Sequence, residues 1–222
     1  MYKAILYKEF IKTRAVIIIL PTLFAAVAVF SFLQLFEEIR LAGKVSFLET
    51  VIQKDTAMFP YFKHLPTFAG VLLASVQYLP EIQYKRLKLT LHLPIKESKT
   101  IITMLLYGIT IVVTLLLITI AALLIPLAKT FPAEIVNAQF MTLIPHFIAA
   151  PAAYLLTTWI CIEPTWKFKI PGIIAATYAL TFFTMTAKPG AYMPFVPYLI
   201  AFVVIAFCFP FLSVARFKEG IQ

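Results

Sequence analysis

The hydrophobic residues of this chain fall into long, nearly uncharged runs, separated by short polar segments. About 20 consecutive apolar residues are enough for an α-helix to cross the hydrocarbon core of a bilayer. Proline and glycine interrupt some of the runs, which membrane helices tolerate where neighbouring helices cover the freed backbone groups. The pattern therefore predicts an all-α integral membrane protein with six transmembrane helices, at about residues 15–36, 61–79, 101–127, 139–162, 170–187 and 192–215.

The segment before the first run, residues 1–14, has an apolar and a basic side. Tyr2, Ile5, Leu6 and Phe10 recur at helical spacing, while the lysines lie mostly on another side of the same helix. Such a helix is typical of the membrane interface, so we predict an N-terminal amphipathic interfacial helix. A basic leader that only fixes the orientation of the first span is the alternative.

Composition supports a single membrane domain over residues 1–222. Hydrophobic residues make up 62% of the chain and charged residues 13%, and the mean hydropathy is +0.94. A soluble protein has roughly 25% charged residues. The net charge of +9 would suggest nucleic acid as a partner of a soluble protein, but in a membrane protein an excess of Lys and Arg marks the cytoplasmic loops. We therefore expect the lipid bilayer, and no nucleic acid, as a partner.

The distribution of Lys and Arg predicts the orientation. The segments on one side of the six predicted spans contain thirteen Lys and Arg and five Asp and Glu, a net charge of +8. The segments on the other side contain six Lys and Arg and five Asp and Glu, a net charge of +1. The side richer in Lys and Arg is normally cytoplasmic. Both termini and the segment 80–100 are therefore predicted to lie in the cytoplasm.

The segment 80–100 contains leucines whose apolar side chains require a contact surface that shields them from water. Leu87, Leu89, Leu91 and Leu93 alternate with polar residues, a pattern typical of a β-strand. No other predicted cytosolic segment looks able to pair with such a strand, and an unpaired strand edge invites aggregation. We therefore favour a short cytosolic helix that ends near Pro94, whose leucines are covered by lipid, by other short segments of the chain or, as the sharper explanation, by a partner protein.

Several kinds of chemistry are not indicated. The predicted spans contain almost no ionisable side chains, which disfavours ion-coupled transport, and His146, well inside a span, is interpreted as a structural group rather than a haem ligand.

The motifs of common enzymes are also missing from the sequence. Gly43-Lys44 lacks the first Gly and the Ser or Thr of a phosphate-binding loop. Cys161 and Cys208 have no metal or disulfide spacing. Neither GxSxG nor HExxH occurs, and Glu37-Glu38-Ile39-Arg40 has the wrong spacing for the CAAX-processing proteases. We predict that the chain is not an enzyme and holds no metal or cofactor.

The layout resembles the type 2 permease family of ATP-binding-cassette transporters, typically exporters. The features that carry this resemblance are the amphipathic start MYKAILYKEFIKTR and, after the second span, Glu81, Lys85-Arg86, KLTLHL, Leu93-Pro94-Ile95 and the polar lead KESKT into the third span. Two features depart from the family: a Gly before the leucine stretch is absent, and the connection KPGAYMP between the last two spans is brief.

The resemblance implies a mechanism. The segment Glu81 to Leu93 corresponds to a coupling helix that docks into a groove of a separate ATPase subunit, which binds the ATP and Mg²⁺. The permease works in the plasma membrane, the bacterial inner membrane, as a homodimer or paired with a related permease. The residues implied to contact the ATPase are Glu81, Tyr84, Lys85, Arg86, Leu87, Leu89 and Leu91. A haem-exporter-like subunit of cytochrome c maturation and a membrane scaffold without a transport path are the alternatives.

Overall fold

Long α-helices form the architecture of the chain. The computed structural model describes residues 2–43, 57–83, 97–185 and 191–218, together with Ser46, Phe47, Glu49 and Val51. All regular structure in these residues is helical, which confirms the all-α prediction. The helices are α1 (Tyr2–Ala42), α2 (Leu65–Gln83), α3 (Glu97–Thr130), α4 (Ala133–Ile162), α5 (Trp166–Thr184), α6 (Val196–Ala206) and α7 (Phe209–Lys218).

Two short 3₁₀ turns, Pro60–Lys63 and Met193–Phe195, lead into α2 and α6. The interruption between α6 and α7 coincides with Pro210, which has no N–H to donate to the carbonyl oxygen of Ala206.

In the part of the chain that the structure describes, four helical segments are long and apolar enough to cross a membrane: Tyr2–Ala42, Ser98–Thr130, Ala133–Ile162 and Met193–Arg216. By length and composition the chain is therefore a multi-pass membrane protein. The helices α2 and α5 have 19 residues each and are not among the four. The predicted count of six spans is not supported by this criterion and stays a prediction.

The N-terminal helix corrects one predicted boundary. We expected an interfacial helix at 1–14 and a separate span at 15–36, but α1 runs through both as one helix of 41 residues. At ~1.5 Å per residue it is about 60 Å long, roughly twice the thickness of the hydrocarbon core. A large part of α1 therefore extends beyond the apolar layer.

The side of α1 that packs against the protein also differs from the predicted apolar face. Tyr2, Leu6 and Phe10 are exposed, and of the four residues of that face only Ile5 is buried. The buried stripe runs along α1 at intervals of three and four residues, through Ile5, Glu9, Thr13, Val16, Leu20, Phe24, Ala28, Ser31 and Leu35. One acidic residue, Glu9, is thereby carried into the protein interior.

Helix α4 lies at the centre of the packing. It contacts α2, α3, α5, α6 and α7. In its most apolar 18-residue stretch 61% of the residues are buried, against 17–33% in the corresponding stretches of the other candidate spans. Its closest approach is to α2, where a Cβ atom on Gly70 would overlap the carbonyl oxygen of Ala150 and lie 3.0 Å from the backbone nitrogen of Tyr154. Small residues let membrane helices approach in this way and gain van der Waals contact.

The helix directions bring the start of α1, the end of α2, the start of α3 and the end of α4 to one end of the bundle. Here α1 contacts α2 through Lys12 and Glu81, and α2 contacts α4 through Gln77 and Tyr154. Away from this end the contacts are largely aromatic: the ring of Phe62 lies 6.1 Å from Phe24 and 6.5 Å from Phe147, centroid to centroid. The polar end contains the only predicted site residue that the structure describes.

Candidate functional site

The predicted contact segment begins at a buried acidic residue. Glu81 lies in the last turn of α2 and has no exposed surface. Tyr84, Lys85, Arg86, Leu87, Leu89 and Leu91 lie outside the described residues. The site is therefore built from Glu81 and from the residues that the fold brings to it.

Two acids and two lysines form a compact ion cluster, made of Lys8, Glu9, Lys12 and Glu81. The Lys12 Nζ atom donates to Glu81 Oε1 at 2.9 Å and lies 2.7 Å from Glu9 Oε1. The Lys8 Nζ atom lies 3.1 Å from Glu81 Oε1 and 3.8 Å from Glu9 Oε1. Because the two lysines balance the two carboxylates, the cluster carries no net formal charge.

The position of the lysines on α1 explains how these charges are accommodated. Glu9 follows Ile5 by four residues on the buried stripe, and Lys8 and Lys12 lie beside that stripe, one helical turn apart. The Lys12 side chain is 11% exposed, and that of Lys8 is 36% exposed. Lysine can pack its apolar stem along a surface while its ammonium group reaches a polar site. The basic start of α1 thus supplies the counter-charges of its own buried acid.

The lysines also keep Glu81 ionised. Burial raises the pKa of the Glu81 carboxyl, but the hydrogen bond and charge of Lys12 and the charge of Lys8 outweigh it, so the net pKa lies below its ordinary value. Glu81 therefore carries its negative charge at neutral pH. Removing one partner of a buried ion pair costs about 3–5 kcal/mol, because it leaves the other charge uncompensated.

Neutral hydrogen bonds extend this cluster across four helices. Gln77, on α2, donates through Nε2 to the carbonyl oxygen of Met104 on α3 at 3.0 Å, and its Oε1 accepts from the Tyr154 hydroxyl on α4 at 2.8 Å. Its own carbonyl oxygen accepts from Lys12 at 3.2 Å. We call the ion cluster together with Gln77, Thr13, Tyr107 and Tyr154 the junction.

Two further features complete the junction. The hydroxyl oxygens of Thr13, on α1, and Tyr107, on α3, lie 2.8 Å apart. One helical turn from Met104, Gly108 leaves space for the Tyr154 ring, since a Cβ atom on Gly108 would overlap that ring and its hydroxyl. The junction thus connects α1, α2, α3 and α4 by polar contacts and by one close approach.

Each of the two carboxylates in the junction has at least one oxygen atom that accepts no hydrogen bond from the described residues. Both carboxylates make the contacts described above through Oε1. The Oε2 atoms of Glu9 and Glu81 and the Tyr78 hydroxyl are buried without a hydrogen-bond partner among the described residues. An ionised carboxylate accepts through both oxygens. Each carboxylate therefore has one oxygen atom that could accept from an additional donor.

A third buried acid, Glu163, lies where α4 ends. Glu163 Oε2 accepts from the Ser213 hydroxyl at 2.5 Å and from Arg216 Nη1 at 3.4 Å, and Oε1 accepts from the Thr165 hydroxyl at 3.1 Å. The guanidinium carbon of Arg216 lies 4.5 Å from the centre of the Phe168 ring. These contacts join the turn between α4 and α5 to α7, at the same end of α4 as Tyr154.

The remaining residues named in the sequence analysis form no further site in the described part of the chain. His146 Nδ1 lies 3.0 Å from the carbonyl oxygen of Phe183, the kind of contact that a structural histidine makes. Cys161 and Cys208 are both free thiols. Among the described residues, no group of three or more His, Cys, Asp or Glu side chains is placed to hold a metal ion.

Sequence analysis assigned no role to Glu9, Lys12, Gln77 or Tyr154. One signal was present: Glu9 is the only acid before Glu37, and it follows Ile5 and precedes Thr13 by four residues each, the spacing of one helix face. An isolated acid on such a face, next to two lysines, indicates a buried ion pair. Gln77 and Tyr154 carry no comparable signal, because their contacts depend on how α2 and α4 cross.

Comparison of the chain with protein-family models, with curated proteins and with solved structures finds no match.

Proposed function

We propose that this chain is the membrane-spanning permease subunit of an ATP-driven exporter, in which a separate ATPase moves the helices through the segment 80–100. The observation that carries this proposal is the junction, because polar contacts reach the helices on both sides of that segment. Glu81 and Gln77 hold the end of α2, and the Met104 carbonyl and Tyr107 hold the start of α3. A force on the segment is thereby transmitted to α1 and α4.

The structure changes the part that Glu81 plays in this proposal. The resemblance implies that Glu81 contacts the ATPase, but its carboxylate is buried and contacts Lys8 and Lys12 of its own chain. In the proposed mechanism Glu81 is an internal anchor, and the contacts to the ATPase come from Tyr84, Lys85, Arg86, Leu87, Leu89 and Leu91. The unused Oε2 atoms of the cluster allow the end of α2 to shift while its charges stay paired.

The composition of the junction favours ATP over an ion gradient as the energy source. A transporter driven by protons or sodium needs carboxylates that are free to bind the ion inside the bundle. Here Lys12 already lies within 3 Å of an oxygen of Glu9 and of Glu81. The cluster is also at one end of the bundle rather than along its centre. These charges are suited to holding helices together, and the energy is proposed to come from a partner that binds ATP and Mg²⁺.

The proposed arrangement in the membrane has six spans and cytoplasmic termini. The alternating directions of the helices agree with six crossings, although α2 and α5 are short. The excess of Lys and Arg at the polar end would place the junction on the cytoplasmic side of the plasma membrane. Two copies, or this chain and a related permease, would enclose the transport path.

The test uses the full chain, tagged and purified in mild detergent from membranes of its native host. We expect nucleotide hydrolysis that co-purifies with the chain and is absent when the chain is expressed alone in a host without the ATPase. Leu87→Asp with Leu91→Asp should abolish the co-purified hydrolysis, because each buried leucine contributes roughly 1.5–3 kcal/mol to the contact. Leu87→Ile with Leu91→Ile is the matched control and should retain it.

A charge at the rim of the contact should matter less. Lys85→Ala should lower the co-purified hydrolysis only in part, and the difference from wild type should shrink in high salt, where exposed charges are screened. Membrane insertion of all variants is checked by fractionation. If the double Asp variant inserts normally and keeps the hydrolysis, the segment is not the ATPase contact, and the scaffold alternative is favoured.

A further inference from the structure

A cavity of about 770 Å³ lies between α5, the Met193–Phe195 turn and α6, away from the junction. Volumes between about 300 and 1,000 Å³ are typical of sites for small molecules. Its walls are mostly aromatic and otherwise apolar, and they include Ala175, Tyr178, Ala179, Phe183, Tyr198 and Phe202. The cavity has the size of a ligand site, and none of the described residues that line it carries a charge.

Contacts between neighbouring rings hold the walls in place. Tyr178 and Phe182 meet edge to face at 5.5 Å between centroids, and Phe183 lies 5.9 Å from Phe202 across the two helices. The Tyr192 hydroxyl donates to the carbonyl oxygen of Phe182 at 2.6 Å, which fastens the turn before α6 to the end of α5. Aromatic pairs of this geometry are favourable beyond the area that they bury. The cavity is therefore preformed.

The polar groups of the cavity are confined to its edge. Tyr178 is 68% exposed and Tyr198 73% exposed, whereas Phe183 is buried in the wall. Helix α6 belongs to the candidate span Met193–Arg216. In the most apolar 18-residue stretch of this span, only 17% of the residues are buried. The surface of α6 beside the cavity is thus mostly exposed, as expected for a helix in contact with lipid.

We propose that this cavity binds one acyl chain of a membrane phospholipid, with the head group near the hydroxyls of Tyr178 and Tyr198. An acyl chain matches the apolar walls, reaches the opening from the bilayer and is flexible enough to fill an irregular space. Tyrosine is enriched at the level of lipid head groups, since its ring is apolar and its hydroxyl is polar. A helix of a second copy fits less well, because a helix about 10 Å across needs an open groove. Phe195, in the Met193–Phe195 turn, is one of the residues that line the cavity. The site does not depend on the transport proposal.

The test is native mass spectrometry of the delipidated full chain in mild detergent, titrated with dioleoyl phosphatidylethanolamine. Wild type should form a saturable adduct with one lipid. Ala179→Phe fills the cavity and should lower the occupancy of that adduct at least fivefold. Ala201→Phe is the matched control, because Ala201 is exposed on α6 outside the cavity and should leave the occupancy unchanged.

Three results would overturn the proposal. Equal occupancy in Ala179→Phe and Ala201→Phe would mean that the lipid binds elsewhere. A dimer mass that Ala179→Phe removes without changing the lipid adduct would identify a second copy as the occupant. Circular dichroism checks that Ala179→Phe is folded, and if it is not, Ala175→Leu narrows the same cavity from a more exposed position. An occupancy of wild-type level in a folded Ala175→Leu would then contradict the proposal.

Discussion

The helices pack through different kinds of contact at the junction and at the aromatic cavity. At the junction, four helices meet through charged and neutral hydrogen bonds between buried groups such as Lys12, Glu81 and Gln77. At the cavity, α5 and α6 meet through ring contacts and one hydroxyl, and most of their surface stays exposed. The first region specifies one arrangement of helices. The second leaves a space between them.

The difference follows from what drives helix association in lipid. Lipid tails are as apolar as leucine, so apolar side chains gain little by leaving lipid for protein, and packing and polar contacts decide which helices pair. Helix α4 combines both, with the close crossing at Gly70 and the hydrogen bond of Tyr154. Helices α5 and α6 have fewer such contacts. We therefore expect α1–α4 to be the stable unit, and α5 and α6 to be more easily separated.

The largest expected effect comes from removing a charge of the junction. Lys12→Met should lower the free energy of unfolding by about 3–5 kcal/mol, because it leaves the buried carboxylates of Glu9 and Glu81 with only Lys8 between them. Reversible unfolding in mixed micelles measures the change. Lys3→Met is the matched control, since Lys3 is exposed on the same helix.

A double-mutant cycle identifies the cause. Glu9→Gln removes the charge that Lys12→Met leaves unbalanced, so the two substitutions together should cost less than the sum of their separate costs. Lys8 and Glu81 then remain as one balanced pair. If the two costs simply add, or if Lys12→Met costs no more than Lys3→Met, the ion cluster does not hold the junction together.

A smaller effect is expected at the helix crossing. Gly70→Ala places a methyl group against the backbone of Ala150, which cannot move without separating α2 from α4, and should cost about 1–3 kcal/mol. Gly172→Ala is the control, because its added Cβ would lie 3.3 Å from the edge of the Trp159 ring, a side chain that can shift. The same unfolding assay applies. Equal costs at the two glycines would show that the crossing is looser than the structure indicates.

The sequence was a good guide to where the helices are. The run at 139–162 lies in α4, Ala133–Ile162, which begins before the run and ends with it. The run at 101–127 lies in α3, Glu97–Thr130, which extends beyond the run at both ends. Hydropathy detects the apolar centre of a helix, while its polar ends continue past the membrane without a hydropathic signal. The same limitation explains α1, where a helical pattern and an apolar run were interpreted as two elements.

The sequence was a poor guide to the junction. Lys12 and Glu81 are 69 positions apart, and Gln77 and Tyr154 are 77 apart, so no local spacing connects them. The charge count places these lysines and acids on one side of the predicted spans, and the structure brings them together at one end of the bundle. A count of charges gives no indication that they are buried. Their burial depends on how α1, α2 and α4 pack, which in turn depends on small residues such as Gly70.

The smallest expected effect compares one hydroxyl in each region. Tyr154→Phe keeps the ring in contact with Tyr78 but removes the donor to Gln77 Oε1, leaving that oxygen buried without a partner. Buried side-chain hydrogen bonds between membrane helices contribute about 0.6–1.7 kcal/mol, so a loss in this range is expected.

Tyr192→Phe also removes a single hydroxyl, the donor to the Phe182 carbonyl, but at an exposed position where water or lipid head groups can replace it. Its cost should stay within about 0.5 kcal/mol, as for most surface substitutions. Unfolding of both variants in one mixed-micelle assay gives the comparison. Since both substitutions remove a tyrosine hydroxyl, a difference between their costs in free energy of unfolding reflects how deeply each hydroxyl is buried. Equal costs would mean that the junction is no better shielded than the cavity, and that polar contacts do not set the two regions apart.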